Sequence, residues 1–250
     1  MSAEELLHFY KPKLWEIPQP STEVYEALPS KIAVLAERLE SIVQTHKTVK
    51  LASSLAVEDM LITDMIARYR LAISVFTLNT GLLHKETLAL WEVLIKHYPD
   101  LTTHIFMPDM VRTNAFVEEF GKTPFYESVA LRRQCCFLRK IEPLSHALKD
   151  ADAWITGQRR EQSITRAELT FVEEDKQHQM AKYNPIFDWS EQEVWAYILT
   201  YQVPYNTLYQ QGYPSIGCDP CTRPVKAGED IRAGRWWWEN QESKECGLHK

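Results

Sequence analysis

Hydrophobic positions along the chain recur with two different periods. From Thr22 to about His46 the apolar residues Val24, Leu28, Ile32, Leu35, Leu39 and Ile42 fall at helical spacing, and basic residues close the run. Thr48–Ser53 (TVKLAS) then reads as a short buried strand, followed by a helix from Glu58 to about Tyr69. The alternation continues with a strand over Ala72–Leu78, a helix from about Lys85 to His97, and a strand over Thr102–Met107. Ala153–Thr156 is a fourth strand ending at Gly157, and the stretch between the third and fourth is mostly helical. Ser190 followed by Glu193 is a capping box that opens a helix running to about Thr200. Elements alternating at this length predict an α/β fold, a parallel twisted sheet flanked by helices on both faces. Ligands of such sheets bind outside the carboxyl ends of the strands. The loops after Ser53, Leu78 and Thr156 are therefore expected to surround one pocket. In this reading residues 1–21 form an N-terminal arm, 22–205 the α/β domain, and 206–250 an irregular C-terminal segment.

Composition narrows the setting. The 250 residues are 45% hydrophobic, enough to bury a substantial core. No apolar run approaches the roughly 20 residues of a spanning helix or the shorter core of a signal peptide, so no membrane is expected. Five cysteines, an odd number with two of them adjacent, point to a reducing compartment, and the expected localisation is cytoplasmic. A net charge of −6 argues against a nucleic-acid partner. Yet between Leu131 and Arg166 eight Lys and Arg stand against four acids, a local excess of positive charge. One basic segment in an acidic protein suggests a small anionic ligand. The plainer alternative is a solvated helix face.

The cysteines carry the sharper signal. Cys135 and Cys136 are adjacent, Cys218 and Cys221 form C-x-x-C, and Cys246 stands alone near the end. Neighbouring side chains on a helix diverge by about 100°, which is awkward for one small Zn²⁺. A four-iron cube instead presents separate irons to separate thiolates. Zinc and a redox dithiol stay open as alternatives. Cys246 has Lys244 and His249 nearby, both of which favour a thiolate, and Gly247 loosens the backbone. In isolation it would pass for an incidental tail cysteine. Ser53-Ser54-Leu55-Ala56-Val57-Glu58-Asp59 joins a strand to a helix, where hydroxyls and backbone N–H groups can hold a phosphate. Without the glycines and Lys of a Walker A loop, it reads equally well as an ordinary turn.

Taken in order, RRQCCFLRKIEPL, ITGQRREQSITRAEL, YNPIFDWSEQEVWAYI, YPSIGCDPCTRP and KECGLH resemble the assimilatory sulfonucleotide reductases. The specific resemblance is to the adenosine 5′-phosphosulfate (APS) reductase branch, over most of the chain after about residue 45. It implies an adenine nucleotide α-hydrolase-like fold and a [4Fe–4S] cluster on Cys135, Cys136, Cys218 and Cys221. It also implies attack by Cys246 on the sulfur of APS, an enzyme S-sulfocysteine, release of AMP, and liberation of sulfite by thioredoxin or a glutaredoxin-like dithiol. By motif, Lys140, Arg232, Arg235 and His249 would gather around the sulfate, and Ser53, Ser54, Gly157 and Arg166 would line the nucleotide pocket. A homo-oligomer is left open.

The chain departs from the family pattern where Ala56 replaces a usual glycine and where Asn79 replaces a common Asp. Val57 stands where a related ATP-pyrophosphatase loop carries Lys, which argues against ATP cleavage. The close alternative is a reductase for 3′-phospho-APS, or an enzyme accepting both nucleotides. Two more distant ones are an iron–sulfur tRNA-thiolating enzyme and a zinc-stabilised module docking a partner through Trp236-Trp237-Trp238.

Overall fold

The computed structural model describes residues 12–239; Cys246 and His249 lie outside them. Helix α1 (Thr22–Thr45) leads into strand β1 (Val49–Ala52), helix α2 (Val57–Arg68), strand β2 (Ile73–Leu78), helix α3 (Lys85–His97) and strand β3 (Thr103–Phe106). Helix α4 (Met110–Phe120) and a continuous helical stretch follow. That stretch comprises α5 (Val129–Cys136), a π-helical turn (Phe137–Ile141) and α6 (Glu142–Leu148). Strand β4 (Ala153–Ile155), the hairpin of β5 (Val172–Asp175) and β6 (Met180–Tyr183), and helix α7 (Glu191–Tyr201) complete the regular elements.

The six strands lie in the order β3-β2-β1-β4-β6-β5. All neighbours are parallel except β5 on β6, so the sheet is parallel with one antiparallel edge strand. Its register pairs Leu51 with Val75 on one side and Ile155 on the other. Alternate residues leave opposite faces. Val49, Leu51, Ile73, Val75 and Ile155 enter the main core with α1, α2, α3 and α7, while Phe76 and Trp154 meet Leu144, Ala147 and Leu148 of α6 on the other face.

The α2 helix is buried on every side from Val57 to Ile66, including Glu58, Asp59, Thr63 and Asp64. Each buried acid has partners. Asp64 accepts hydrogen bonds from Tyr98 Oη (2.9 Å) and Tyr197 Oη (2.6 Å) and pairs with Arg68. The Ser190–Glu193 capping box forms as expected. Trp15 N–H donates to Val225 O (2.9 Å), tying the start of the described chain to the C-terminal segment. Among the described residues no helix is long and apolar enough to cross a membrane.

Candidate active site

The chain leaves β1 and β4 in opposite directions across the sheet, creating a switch point at their carboxyl ends. A cleft of about 230 Å³ opens there. Ser53, Ser54, Lys140, Gly157, Arg166, Arg232 and Arg235 all line it, together with the apolar walls Phe76, Leu78, Leu144 and Trp154. Residues far apart in sequence are thus brought around one space with a cationic rim and flat apolar walls. Such a space suits an anionic nucleotide.

The loop after β1 differs from a free anion cradle. Ser54 N–H and Oγ–H both donate to Asp59 Oδ2, each at 2.7 Å. The next three N–H groups are also engaged: Leu55 by Ser53 Oγ (3.1 Å), Ala56 by Ser54 Oγ (3.4 Å) and Val57 by Tyr209 Oη (3.1 Å). The expected grip by backbone amides is therefore taken up internally. Burial pushes the Asp59 carboxyl up to about 6, although hydrogen bonds from Ser54 oppose the shift. Ala56 adopts an extended backbone (φ −70°) that needs no glycine, and the left-handed residue is its neighbour Leu55 (φ 64°). Gly157 is needed for closeness instead, because a Cβ there would collide with Asp59 Oδ1 and come within 2.9 Å of Glu58 Cβ.

Sequence reasoning missed the acids under this loop. Glu58 Oε1 accepts from Arg159 Nη2 (2.8 Å), Arg159 Nε (3.1 Å) and Gln162 Nε2 (3.0 Å). This pair is buried and fixes the loop after β4 against the start of α2. A charge count cannot separate such a pair from surface charges.

On the far side of the cleft, the Arg235 guanidinium sits 4.6 Å over the Trp236 ring and donates to Ile216 O (3.2 Å). Gly217 makes room for it, since a Cβ there would lie 2.6 Å from Arg235 Cζ. Arg232 N–H donates to Asp230 Oδ1 (2.8 Å), holding the turn that presents this residue.

The cysteines lie beside the cleft. Cys135, Cys136, Cys218 and Cys221 are buried and free of disulfides. Cys135, Cys218 and Cys221 share an apolar cluster with Phe116, Phe125, Leu138 and Trp236. Burial raises the thiol of Cys221 to about 12, and the nearby Cys218 and Cys136 add to the shift. Burial likewise raises Cys135, while Arg139 and Lys140 oppose it. Thr80 Oγ1 lies 3.3 Å from Cys218 Sγ, and Trp236 Nε1 is buried without a hydrogen-bond partner among the described residues. Among those residues no three of His, Cys, Asp and Glu form a site for a single metal ion. Four convergent thiols, adjacent cations and an indole N–H in want of an acceptor match the donor chemistry of a sulfur-bridged iron cluster.

The π-turn connects the two halves. Glu142 N–H bonds Phe137 O five residues back, so the helix is locally widened between the cysteine pair and α6. Lys140, inside that turn, lines the cleft, while Cys135 and Cys136 just before it are buried, Cys135 in the cluster that holds Cys218 and Cys221.

Comparison with known proteins places the geometry in context. The phosphoadenosine phosphosulfate reductase domain family matches residues 48–224. Adenosine 5′-phosphosulfate reductase of Neisseria meningitidis serogroup B is 59% identical over 241 residues, covering 96% of this chain and 98% of that protein. The Burkholderia cepacia protein of the same name is 50% identical, covering 92% and 93%. A phosphoadenylyl-sulfate reductase structure from Candida auris, in complex with phosphate, superposes with a TM-score of 0.67 at 25% identity, covering 84% of this chain and 100% of that one. An NH3-dependent NAD synthetase from Campylobacter jejuni shares the fold at 13% identity, with a TM-score of 0.52 over 74% of this chain and 77% of its own.

Proposed function

Because this chain belongs to the phosphoadenosine phosphosulfate reductase family, we propose that it reduces adenosine 5′-phosphosulfate to sulfite and AMP in sulfate assimilation. The observation that carries the reading is the near-complete-length identity of 59% to an APS reductase. The cationic cleft at the switch point gives it a physical basis.

The attacking group in this reading is the Cys246 thiolate. It forms a bond to the sulfur of APS as the bond from that sulfur to the bridging phosphate oxygen breaks, and AMP leaves with the electron pair. A thiolate meeting a sulfate needs cations that screen both and stabilise charge growing on the leaving group. Lys140, Arg232 and Arg235 supply that charge, with His249 assigned beside them by motif. The apolar walls hold the base, and Ser53, Ser54, Gly157 and Arg166 border the nucleotide. A thioredoxin-like dithiol then attacks the sulfur of Cys246, sulfite departs with two electrons, and the second thiol closes the reductant's disulfide.

Cys135, Cys136, Cys218 and Cys221 would hold a [4Fe–4S] cluster. When bound, such a cluster supplies a buried charged centre that tunes the field around the sulfate. Preference for APS over its 3′-phosphorylated form is supported by the names of the nearer relatives and by the four-cysteine set.

Changing Cys246 to Ser tests the reading. Iron and acid-labile sulfide should persist, turnover should vanish, and wild-type protein mixed with APS should gain one sulfonate on Cys246. A sulfonate on Cys218 or Cys221, or turnover without Cys246, refutes it. A higher kcat/KM for the 3′-phosphorylated nucleotide would move the substrate assignment to that compound.

A further inference from the structure

Arg132 and Glu239 form a doubly hydrogen-bonded ion pair whose side chains are 0% and 2% exposed. Arg132 Nε donates to Glu239 Oε1 (2.8 Å) and Nη2 to Oε2 (2.7 Å). The chemistry described above assigns this pair no role, and swapping such a pair for apolar residues is often neutral for stability. Its neighbours suggest what it does. Arg132 lies one turn before Cys136 on α5 and also bonds that thiol. Its guanidinium sits 4.8 Å over the Trp236 ring, the same ring that carries Arg235 at 4.6 Å. Trp236 N–H donates to Cys221 O (3.2 Å), Glu239 N–H to Trp236 O (2.8 Å) and Trp238 Nε1 to Phe125 O (3.1 Å).

The Trp236–Glu239 turn is thus bolted to both cysteine-bearing segments. Cys246 follows Glu239 by only seven residues, and a chain of that length can span at most about 25 Å.

We propose that the Arg132–Glu239 pair is a positioning device that fixes the root of the Cys246 segment against the cysteine cage and thereby sets where the thiol meets the sulfonucleotide. The proposal rests on the assignment of Cys246 as nucleophile. Arg132 and Glu239 touch no substrate in it; they act through the placement of Cys246. Misplacing a reacting group by about 1 Å can cost on the order of a hundredfold in rate, so the pair would affect transfer far more than nucleotide affinity.

The test uses iron-replete holoenzyme mixed with APS, quenched at intervals, with sulfonate on Cys246 read by intact mass. Glu239→Gln and the double variant Arg132→Met, Glu239→Leu should keep iron, acid-labile sulfide and AMP affinity within about twofold, while sulfonation slows at least about tenfold. Arg132→Lys keeps the charge without the planar fork and should fall between them and wild type. Wild-type sulfonation rates in either of the first two variants overturn the proposal. Loss of iron from both also overturns it, because the pair would then be only a part of the cage. Wild-type protein that gains no sulfonate on Cys246 sinks the underlying assignment instead, and the wild-type control separates the two failures.

Discussion

Replacing Asp59 by Asn removes a carboxylate from a desolvated point of the cleft while nearly preserving its shape. Asp59 is 5% exposed and its carboxyl is raised to about 6, against about 3.9 for an unperturbed Asp. A folded-state value above the unfolded one means the native protein holds this proton more tightly. The residue therefore costs nothing below about pH 4. The cost grows as pH rises between the two values and is complete above about 6. At about 1.4 kcal/mol per pH unit the full penalty is about 3 kcal/mol. Integrated between about pH 5 and pH 7.5, roughly 1.3 kcal/mol of it develops.

Asn carries no such penalty, although it has one acceptor oxygen where the carboxylate serves both Ser54 and Gly157. That lost bond shifts the whole curve of the variant, by about 1 kcal/mol, without bending it. Urea unfolding of both proteins across this pH range isolates the residue in the difference between them. The variant should gain on wild type by about 1.3 kcal/mol as pH rises from about 5 to 7.5. A difference flat in pH, or wild type gaining as pH rises, would refute the assignment of a buried, strained carboxylate beneath the loop.

Further outcomes follow from the same geometry. Arg159→Ala leaves Glu58 buried without its cation and should cost about 3–5 kcal/mol in chemical unfolding, whereas replacing exposed Arg133 should cost less than about 0.5 kcal/mol. Gly217→Ala pushes on the Arg235 guanidinium and should lower kcat/KM about tenfold or more while far-UV circular dichroism stays unchanged. Cys218→Ser removes one proposed cluster ligand, and iron analysis should show the loss of most of the bound metal. Retention of full iron would free Cys218 from that role.

Much of the sheet was legible because β1, β2 and β4 are buried and apolar, and their strand limits match the hydrophobic runs to within a residue or two. The β5–β6 hairpin was not, and its absence made the sheet look wholly parallel. Val172-Glu173-Glu174-Asp175 is a largely acidic edge strand, Met180-Ala181-Lys182-Tyr183 is a short mixed segment inside it, and their turn carries its positive φ on Gln179 (54°) rather than on a glycine. Neither the usual hydrophobic run nor the usual turn residue marks them.

The π-turn left no trace either, since one added residue per turn does not change composition. Of the proposed site, the motifs named seven residues that line the cleft, and the Ser, Lys and Arg among them are types that suit anions wherever they occur. Burial cannot be read from residue type, so the roles of Asp59, Glu58 and Arg159 emerged only once α2 was seen to be enclosed on every side. Nor does residue type show that Glu239 is buried against Arg132.

The widened turn at Phe137–Ile141 has an evolutionary reading. Such a turn is what remains when a helix absorbs an extra residue without unwinding. Each residue advances a regular helix by about 100°, so deleting one position between Cys136 and Lys140 would restore a regular helix and change the angle between Lys140, inside the turn, and the cysteine pair before it. Either the cysteine pair or Lys140 could then keep its orientation, but not both. Alignment gaps between Cys136 and Lys140 should therefore be rare among relatives that keep both features, and a lineage that discards the cysteine pair would be free to lose the bulge as well.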